Sequence, residues 1–289
     1  MRALTVLKPG LLTTVQDRGR VGLAYLGVPR SGAADLPALE LANRLVGNDE
    51  SAAGLECTLT GVTLRAEAAL TVAVTGAPAP VRVGGRDADV GLPLAVPSGA
   101  EVAVGPARTG LRTYLAVGGG VTVPPVLGSR ATDTLSGLGP APLRRGDTLP
   151  VGPPYGSPAA VDVPALYELG GAVVLRVHPG PRVDWFTAAA VRTLLAGEYA
   201  VSPTSNRVGA RLTGPALARA VDAELPSEGV VLGAVQVPAD GQPLVFLADH
   251  PTTGGYPVIA VVDPADVPRV AQARPGTAVR FTEGVSGWT

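Results

Sequence analysis

The chain has 289 residues, 46% of them hydrophobic, and a formal net charge of −1, which is typical of one large or two ordinary globular domains and excludes a disordered chain. It contains one Cys, two His and a single Lys, Lys8, which precedes a proline. An internal disulfide, a thiolate zinc cluster, a Gly-Lys-Ser/Thr phosphate loop and a biotinylated lysine in a Met-Lys-Met setting are therefore excluded.

The charge pattern also limits the partners. No basic run is present, and because nucleic acid requires a concentrated positive patch, we expect no nucleic-acid partner. No window approaches the roughly 18 apolar residues of a membrane-spanning helix, and the start, MRALTVLKPG, lacks a signal-peptide pattern. We therefore expect a cytoplasmic protein without a membrane segment and, with so few His and Cys residues, no metal site.

In chain order, apolar or alternating runs of roughly five to eight residues, bounded by Gly, Pro or Asp, predict β-strands. These runs are residues 70–75, 101–104, 111–117, 173–177, 230–237, 244–248, 258–262 and 278–282. Three further segments have helical patterns, each preceded by an aspartate that is a candidate N-cap. They are residues 36–46 after Asp35, 185–196 after Asp184 and 267–273 after Asp266.

Strands do not alternate regularly with long helices, which favours a mainly β fold with a few short helices over a doubly wound α/β fold. Residues 150–165 are Pro-rich and lack periodicity, as is typical of a domain boundary. The sequence therefore predicts two β-rich domains, residues 1–160 and 161–289.

The sharpest polar cluster is residues 248–257, ADHPTTGGYP, between two predicted strands. Its double glycine lets backbone N–H groups approach a ligand, and Asp249, Thr252 and Thr253 add hydrogen-bonding groups. The alternative is a tight turn with Asx and hydroxyl caps. His250 is the weaker candidate, because a lone His before proline is more often structural.

Three other clusters have both a functional and a structural interpretation. In residues 205–211, SNRVGAR, two arginines four apart fit a carboxylate or phosphate clamp or a solvated strand edge. Residues 27–35 end at a helix start, which favours anions, but Asp35 as N-cap would occupy that position itself. Glu228, within residues 226–229, suits acid or base chemistry if buried, or a solvated turn.

Ordered motifs run along essentially the whole chain. They are GLLTTVQDRGR at 10–20, the loop at 27–35, ANRLVGN at 42–48, YLAVGGG at 114–120, LGSR at 127–130 with Asp133, Gly180-Pro181 with Asp184, SNRVG at 205–209, SEG at 227–229, QVP at 236–238 and DHPTTGGYP at 249–257. Together they resemble the bacterial family of the 5-oxoprolinase C subunit, also called the KipA type, the biotin-dependent carboxyltransferase type or allophanate hydrolase subunit 2.

The resemblance implies two carboxyltransferase subdomains, one of them a cyclophilin-like β-barrel. It also implies two partners, a KipI-type B subunit and a LamB/YcsF-type A subunit. The implied reaction opens 5-oxo-L-proline to L-glutamate with ATP, which the complex would bind without a P-loop in this chain. Related domains in urea carboxylase transfer a carboxyl group from carboxybiotin to urea, so a biotin-dependent carboxyltransferase is the alternative. A third is a KipA-like regulatory module that binds a KipI-type kinase inhibitor.

The implied chemistry sets requirements for the site. A lactam is a poor electrophile, so ATP is expected to phosphorylate its carbonyl oxygen before water attacks, and the site must bind a planar amide and stabilise oxyanion charge. Combining the resemblance with the polar clusters, we predict Asp249, Glu228 and Tyr256 as catalytic residues. The predicted substrate-binding residues are Asn206, Arg207, Thr252, Thr253, Gly254, Gly255, Ser31 and Asp35.

Overall fold

The computed structural model of the chain describes residues 1–156 and 171–284. These residues form two compact units: residues 1–21 with 31–156, and residues 22–30 with 171–284. The predicted domains 1–160 and 161–289 stay a prediction, because their boundary falls between the described ranges. A single boundary at that point would assign residues 22–30 to the first domain, although they cluster with the second unit.

The first unit is built on two antiparallel β-sheets. Its strands are β1 (Ala3–Lys8), β2 (Leu12–Gln16), β3 (Gly54–Thr58), β4 (Thr63–Ala66), β5 (Leu70–Gly76), β6 (Val81–Val83), β7 (Arg86–Ala88), β8 (Leu94–Val96), β9 (Glu101–Val104), β10 (Arg112–Val117) and β11 (Thr148–Pro150). The strand orders are β11-β1-β4-β9-β6-β7 and β2-β3-β10-β5-β8. Leu4 and Leu64 of the first sheet share one buried cluster with Leu55 and Leu115 of the second, so the sheets pack around a common core.

Helix α1 (Leu36–Leu45) covers the other face of the second sheet. It begins where the sequence predicts, because a side-chain oxygen of Asp35 accepts a hydrogen bond from the Ala38 N–H at 3.2 Å. Successive residues of a strand point to opposite faces, and accordingly Tyr114 packs against the helix whereas Leu115 packs between the sheets. Strand β10 is therefore buried on both faces.

The second unit is built on a closed barrel. Its strands are β12 (Val173–Pro179), β13 (Glu198–Val201), β14 (Gly209–Thr213), β15 (Glu228–Gly229), β16 (Ala234–Gln236), β17 (Leu244–Phe246), β18 (Thr253–Gly254), β19 (Val258–Val262) and β20 (Ala278–Glu283). The order around the barrel is β12-β19-β16-β17-β14-β13-β20, closed by parallel pairing of β12 with β20. Leu175, Val235 and Val245 are fully buried. Strands β15 and β18 pair separately as a short ribbon.

Helix α2 (Ala188–Ala196) packs on β20 and begins later than predicted. The prediction of a helix from Trp185 with Asp184 as N-cap was wrong. Residues Val183–Trp185 form a separate 3₁₀ turn, and Thr187 caps α2 by accepting a first-turn backbone hydrogen bond at 3.0 Å. The helix starts after the residue whose side chain can cap it.

Helix α3 (Val267–Ala271) packs on β12 and follows Asp266, as predicted, but ends two residues earlier. Asp266 makes no side-chain hydrogen bond to the helix. Its carboxylate instead accepts hydrogen bonds from Arg176 on β12, at 2.8 Å from Nε and 2.9 Å from the backbone N–H. The aspartate therefore joins helix to barrel.

The predicted strand at residues 230–237 was too long. Only Ala234–Gln236 is strand, because the chain first turns at Gly233, whose φ is +82°, a conformation that glycine adopts without strain. The larger prediction, a mainly β chain with a β-barrel and a few short helices, is confirmed.

Candidate functional site

A buried ion pair anchors the loop that follows β17. Asp249 accepts hydrogen bonds from Arg207 Nε at 2.8 Å and Nη2 at 2.9 Å, and the two side chains are only 0% and 2% exposed. The Asp249 N–H also donates to the Arg207 carbonyl oxygen at 3.0 Å. Two predicted site residues are thus brought together, in a geometry that supports a positioning role. The catalytic role of Asp249 stays a prediction.

The residues beside this pair shape their own turns. The Oδ1 of Asn206 accepts a hydrogen bond from the Val208 N–H at 2.8 Å, which is typical of an Asx turn. His250 is buried, with Nδ1 2.7 Å from the Pro251 carbonyl oxygen, in line with the structural interpretation of this histidine. Substrate binding by Asn206 stays a prediction.

The β15–β18 ribbon places the predicted carboxylate beside the Thr-Thr-Gly-Gly segment. Glu228 pairs with Gly254, and Gly229 pairs with Thr253. The Val230 N–H donates a further backbone hydrogen bond to the Thr252 carbonyl oxygen, at 3.0 Å. Four residues that the sequence predicted in two separate clusters therefore lie on one ribbon.

The Glu228 carboxylate is paired with Arg182. Arg182 Nε lies 2.9 Å from Glu228 Oε2, and Nη2 contacts Oε1. This hydrogen bonding holds the pKa of Glu228 below its usual 4.5. The carboxylate is therefore ionised near neutral pH, which suits a base and not a proton donor. The sequence did not indicate this contact, because Arg182 and Glu228 lie 46 residues apart.

The two glycines of the segment differ in their surroundings. Gln236 Nε2 donates to the Tyr256 carbonyl oxygen at 2.9 Å. A Cβ on Gly254 would lie 2.6 Å from that nitrogen, whereas the nearest atom to a Cβ on Gly255 is the Leu225 carbonyl oxygen at 3.5 Å. A methyl group at the first position would therefore have to displace the Gln236 amide, whereas the second position has room for a methyl group.

An open cavity of about 610 Å³ lies beside this turn, lined by Gly255, Tyr256 and Arg219 among others. The Arg219 guanidinium carbon lies 5.9 Å from the centroid of the Tyr256 ring, and Nη2 donates to the Val237 carbonyl oxygen at 2.8 Å. The cavity thus offers a cation, a phenol and glycine backbone to a small ligand. Sequence reasoning missed Arg219, because it stands in the run ALARA, where no motif or spacing marks it.

Ser31 and Asp35, predicted to bind substrate, belong to the first unit. Ser31 is buried, has a φ of +53° and donates through Oγ to the Thr132 carbonyl oxygen at 3.1 Å. Asp35 is fully buried, and its N–H donates to the Tyr114 hydroxyl at 2.8 Å. These contacts, with the cap on α1, support structural roles, and substrate binding by either residue stays a prediction.

A second carboxylate cluster joins two of the motifs in the first unit. Asp17 Oδ1 accepts hydrogen bonds from Ser129 Oγ at 2.6 Å and from the Gly19 N–H at 2.8 Å, and Oδ2 accepts one from the Arg130 N–H at 2.6 Å. The sequence showed both motifs, but their pairing across 112 residues depends on the fold. The fully engaged Asp17 fixes the loop of residues 127–130.

Within residues 1–156 and 171–284, no group of three or more His, Cys, Asp or Glu side chains is arranged to hold a metal ion. No helix in those ranges has the length and apolar character needed to cross a membrane.

Comparison with known proteins places this fold in a family. The model for "Carboxyltransferase domain, subdomain A and B" matches residues 26–283. The 5-oxoprolinase C subunit of Escherichia coli strain K12 is 38% identical over 97% of this chain and 91% of that protein. These matches confirm the resemblance drawn from the motifs.

Two solved structures agree. The crystal structure of TTHA0988 superposes with a TM-score of 0.88 at 40% identity, covering 98% of this chain and 55% of that one. This chain therefore spans about half of that protein. The K. lactis urea amidolyase gives a TM-score of 0.91 at 30% identity, over 97% of this chain and 18% of that one. The chain belongs to the carboxyltransferase subdomain A and B family.

Proposed function

We propose that the chain is the C subunit of an ATP-dependent 5-oxoprolinase, which opens 5-oxo-L-proline to L-glutamate. The supporting observation is the alignment with the E. coli 5-oxoprolinase C subunit, which spans 97% of this chain and 91% of that protein. The match to the urea amidolyase structure covers 18% of that much longer chain. Because nearly all of the C subunit aligns with this chain, the alignment supports the 5-oxoprolinase function.

The proposed reaction needs ATP because the lactam carbonyl is a poor electrophile. After phosphorylation of the carbonyl oxygen, one water adds to the ring carbon and the ring C–N bond breaks, which gives an acyl phosphate. A second water then releases phosphate, so that 5-oxo-L-proline, ATP and two waters yield glutamate, ADP and phosphate. The only Lys of the chain precedes a proline, so it cannot serve a P-loop. We assign ATP binding to the assembly and the amide-binding groups beside Gly255 to this chain. We also propose that the assembly works in the cytoplasm.

The assembly would also contain a KipI-type and a LamB/YcsF-type subunit. An exposed apolar segment supports contact with a partner subunit. Tyr25 is 82% exposed and Leu26 59% exposed, within a 3₁₀ helix, Ala24–Leu26, that has no buried residue. Adjacent exposed apolar side chains are typical of a protein interface. We propose that this segment binds the KipI-type subunit.

Reconstitution tests the proposal. The three purified subunits should release ADP in a 5-oxoproline-dependent reaction, and omission of this chain should abolish that release. Unchanged turnover without this chain would overturn the proposal. The double variant Tyr25→Glu, Leu26→Glu should lose co-purification with the KipI-type subunit. The matched control is Tyr155→Glu, at a tyrosine that is 70% exposed in the first unit, and it should assemble normally.

A carboxyltransferase subunit is the second candidate, favoured by the close superposition on the K. lactis urea amidolyase. In that case the chain would accept a carboxyl group from carboxybiotin and pass it to a urea-like amide. The experiment supplies a biotin carboxylase, a biotinylated carrier, ATP, urea and labelled bicarbonate. Biotin-dependent incorporation of label into urea, with no 5-oxoproline-dependent ADP release, would select this candidate.

A further inference from the structure

The cavity beside Gly255 holds a cation whose position is fixed before any ligand binds. Arg219 Nη2 donates to the Val237 carbonyl oxygen at 2.8 Å, and the guanidinium lies over the Tyr256 ring. The backbone of Arg219 forms a β-bridge with Phe186. The first two contacts hold the side chain and the bridge holds its backbone, so little conformational entropy remains to be lost when a ligand binds.

This fixed cation has unused hydrogen-bonding capacity. Its Nε is buried and has no hydrogen-bond partner among the residues that the structure describes. No carboxylate of those ranges lies within ion-pair distance of Arg219, whereas Arg182 and Arg207 each have one. A guanidinium presents a planar fork that matches a carboxylate. The Arg219 charge, which lines the cavity, is therefore available to an anionic ligand.

The rest of the lining limits what that anion can be. Asp222 and Glu224 also line the cavity and are exposed. With one cation and two carboxylates, the lining would repel a polyanion such as a nucleoside triphosphate. Because this repulsion scales with the charge of the ligand, it is smallest for an anion with a single negative charge.

The adjoining turn supplies groups that can bind the amide part of such a ligand. Gly255 brings backbone to the cavity without a side chain, and the Tyr256 phenol adds a donor and acceptor. Such groups suit a planar amide. We propose that Arg219 binds the carboxylate of a small amide-bearing monoanion, so that the cavity selects a lactam carboxylate over neutral urea. This inference rests on the proposed function, whose substrate class it specifies.

The experiment compares 5-oxo-L-proline with 2-pyrrolidinone, the same lactam without its carboxylate, in the reconstituted assembly. In Arg219→Met, KM for 5-oxo-L-proline should rise at least about tenfold, the size expected for loss of a charged hydrogen bond. The kcat should change little, and KM for 2-pyrrolidinone should stay the same. Arg219→Lys, which keeps the charge without the fork, should be intermediate. Arg192→Met, at an exposed arginine on α2, is the matched control and should behave as the wild type.

The outcomes separate this inference from the proposed function. An equal KM increase for both lactams, or an unchanged KM for 5-oxo-L-proline, would overturn it while the 5-oxoprolinase assignment stands. If the wild-type assembly has no 5-oxoproline-dependent activity, the function fails, and saturation-transfer NMR on the full chain still tests the cavity. A signal for 5-oxo-L-proline that is stronger than that for 2-pyrrolidinone, weaker in Arg219→Lys and lost in Arg219→Met supports the inference, and equal signals overturn it.

Discussion

Arg207 and Asp249 are joined both through their side chains and through their backbones, although they lie 42 residues apart. The guanidinium and the carboxylate meet in a two-bond fork with almost no exposure to solvent. In the neighbouring backbone pair, the Leu247 N–H donates to the Val208 carbonyl oxygen at 2.9 Å. The pair therefore fixes the point at which the chain leaves the barrel for the Thr-Thr-Gly-Gly turn.

The first prediction concerns the energetics of this pair. Asp249→Leu should lower the free energy of unfolding by about 3–5 kcal/mol, because it leaves a buried guanidinium without its carboxylate. Arg207→Met should be similarly costly. The double variant should recover most of the loss, since no unpaired charge remains. Urea denaturation of the full chain measures all four proteins.

Additive losses in the double variant would contradict this interpretation of the pair. Asp249→Asn provides a separate test of chemistry, because it keeps the shape of the side chain. Wild-type unfolding and normal assembly combined with lost turnover in that variant would support the predicted catalytic role over the positioning role.

The sequence predicted those parts of the fold that depend on local patterns. Asp35 was identified as the cap of α1, since an aspartate before a helical pattern is a local signal. The start of α2 was missed, because Asp184 and Thr187 are both good caps and packing decides between them. Asp266 precedes a helix without capping it through its side chain, because Arg176 on a distant strand takes its carboxylate.

The candidate site shows the same limit. The segment from Thr252 to Gly255 was singled out because unusual residue types stand together in the sequence. Its pairing with Glu228 was not predicted, since ribbon register depends on the barrel. Arg219 gave no signal, because a lone arginine in an alanine-rich run meets Tyr256 only in the folded chain.

The second prediction separates the two glycines. Gly254→Ala should destabilise the second unit by at least about 1 kcal/mol, because the new methyl group would lie against Gln236 Nε2 and break its hydrogen bond to Tyr256. Gly255→Ala, with only ordinary contacts around the methyl group, should be close to wild type in stability. Thermal unfolding compares them, and equal losses would contradict the assignment of close approach to the first glycine alone.

The third prediction follows from the ion pair of Glu228. Because hydrogen bonds from Arg182 lower the pKa of Glu228, the stabilisation from this pair is present above the unfolded pKa and is lost as pH falls through the lower folded value. Arg182→Met should raise the pKa of Glu228 towards 4.5, as followed by carboxyl carbon chemical shifts during an acid titration. Arg192→Met is the control, and an unchanged titration of Glu228 in Arg182→Met would contradict the pairing.

The fourth prediction uses the single thiol. Cys57 is 1% exposed, and burial raises its pKa to about 12, so both access and thiolate formation oppose reaction. In native buffer at pH 8, an aromatic disulfide reagent should leave it unmodified, and in urea it should modify one thiol per chain. Cys57→Ser should give no signal. Rapid labelling of the folded wild type would show that the sheet core opens locally.

The fifth prediction concerns acid stability at Asp266. Burial opposes ionisation of this carboxyl, but hydrogen bonds and charge from Arg176 outweigh it, and its pKa lies below the usual 3.8. Since the folded pKa is the lower one, Asp266 contributes stability above pH 3.8 that is lost as pH falls through the folded value.

Asp266→Asn should lower the free energy of unfolding at pH 7 by about 2 kcal/mol. It should also flatten the fall in stability below pH 4, because the side chain no longer takes up a proton on unfolding. Urea denaturation from pH 3 to pH 7 measures both effects. Asp240→Asn, at an exposed aspartate in the same unit, should change neither, and an equally steep acid limb in Asp266→Asn would show that other carboxylates dominate it.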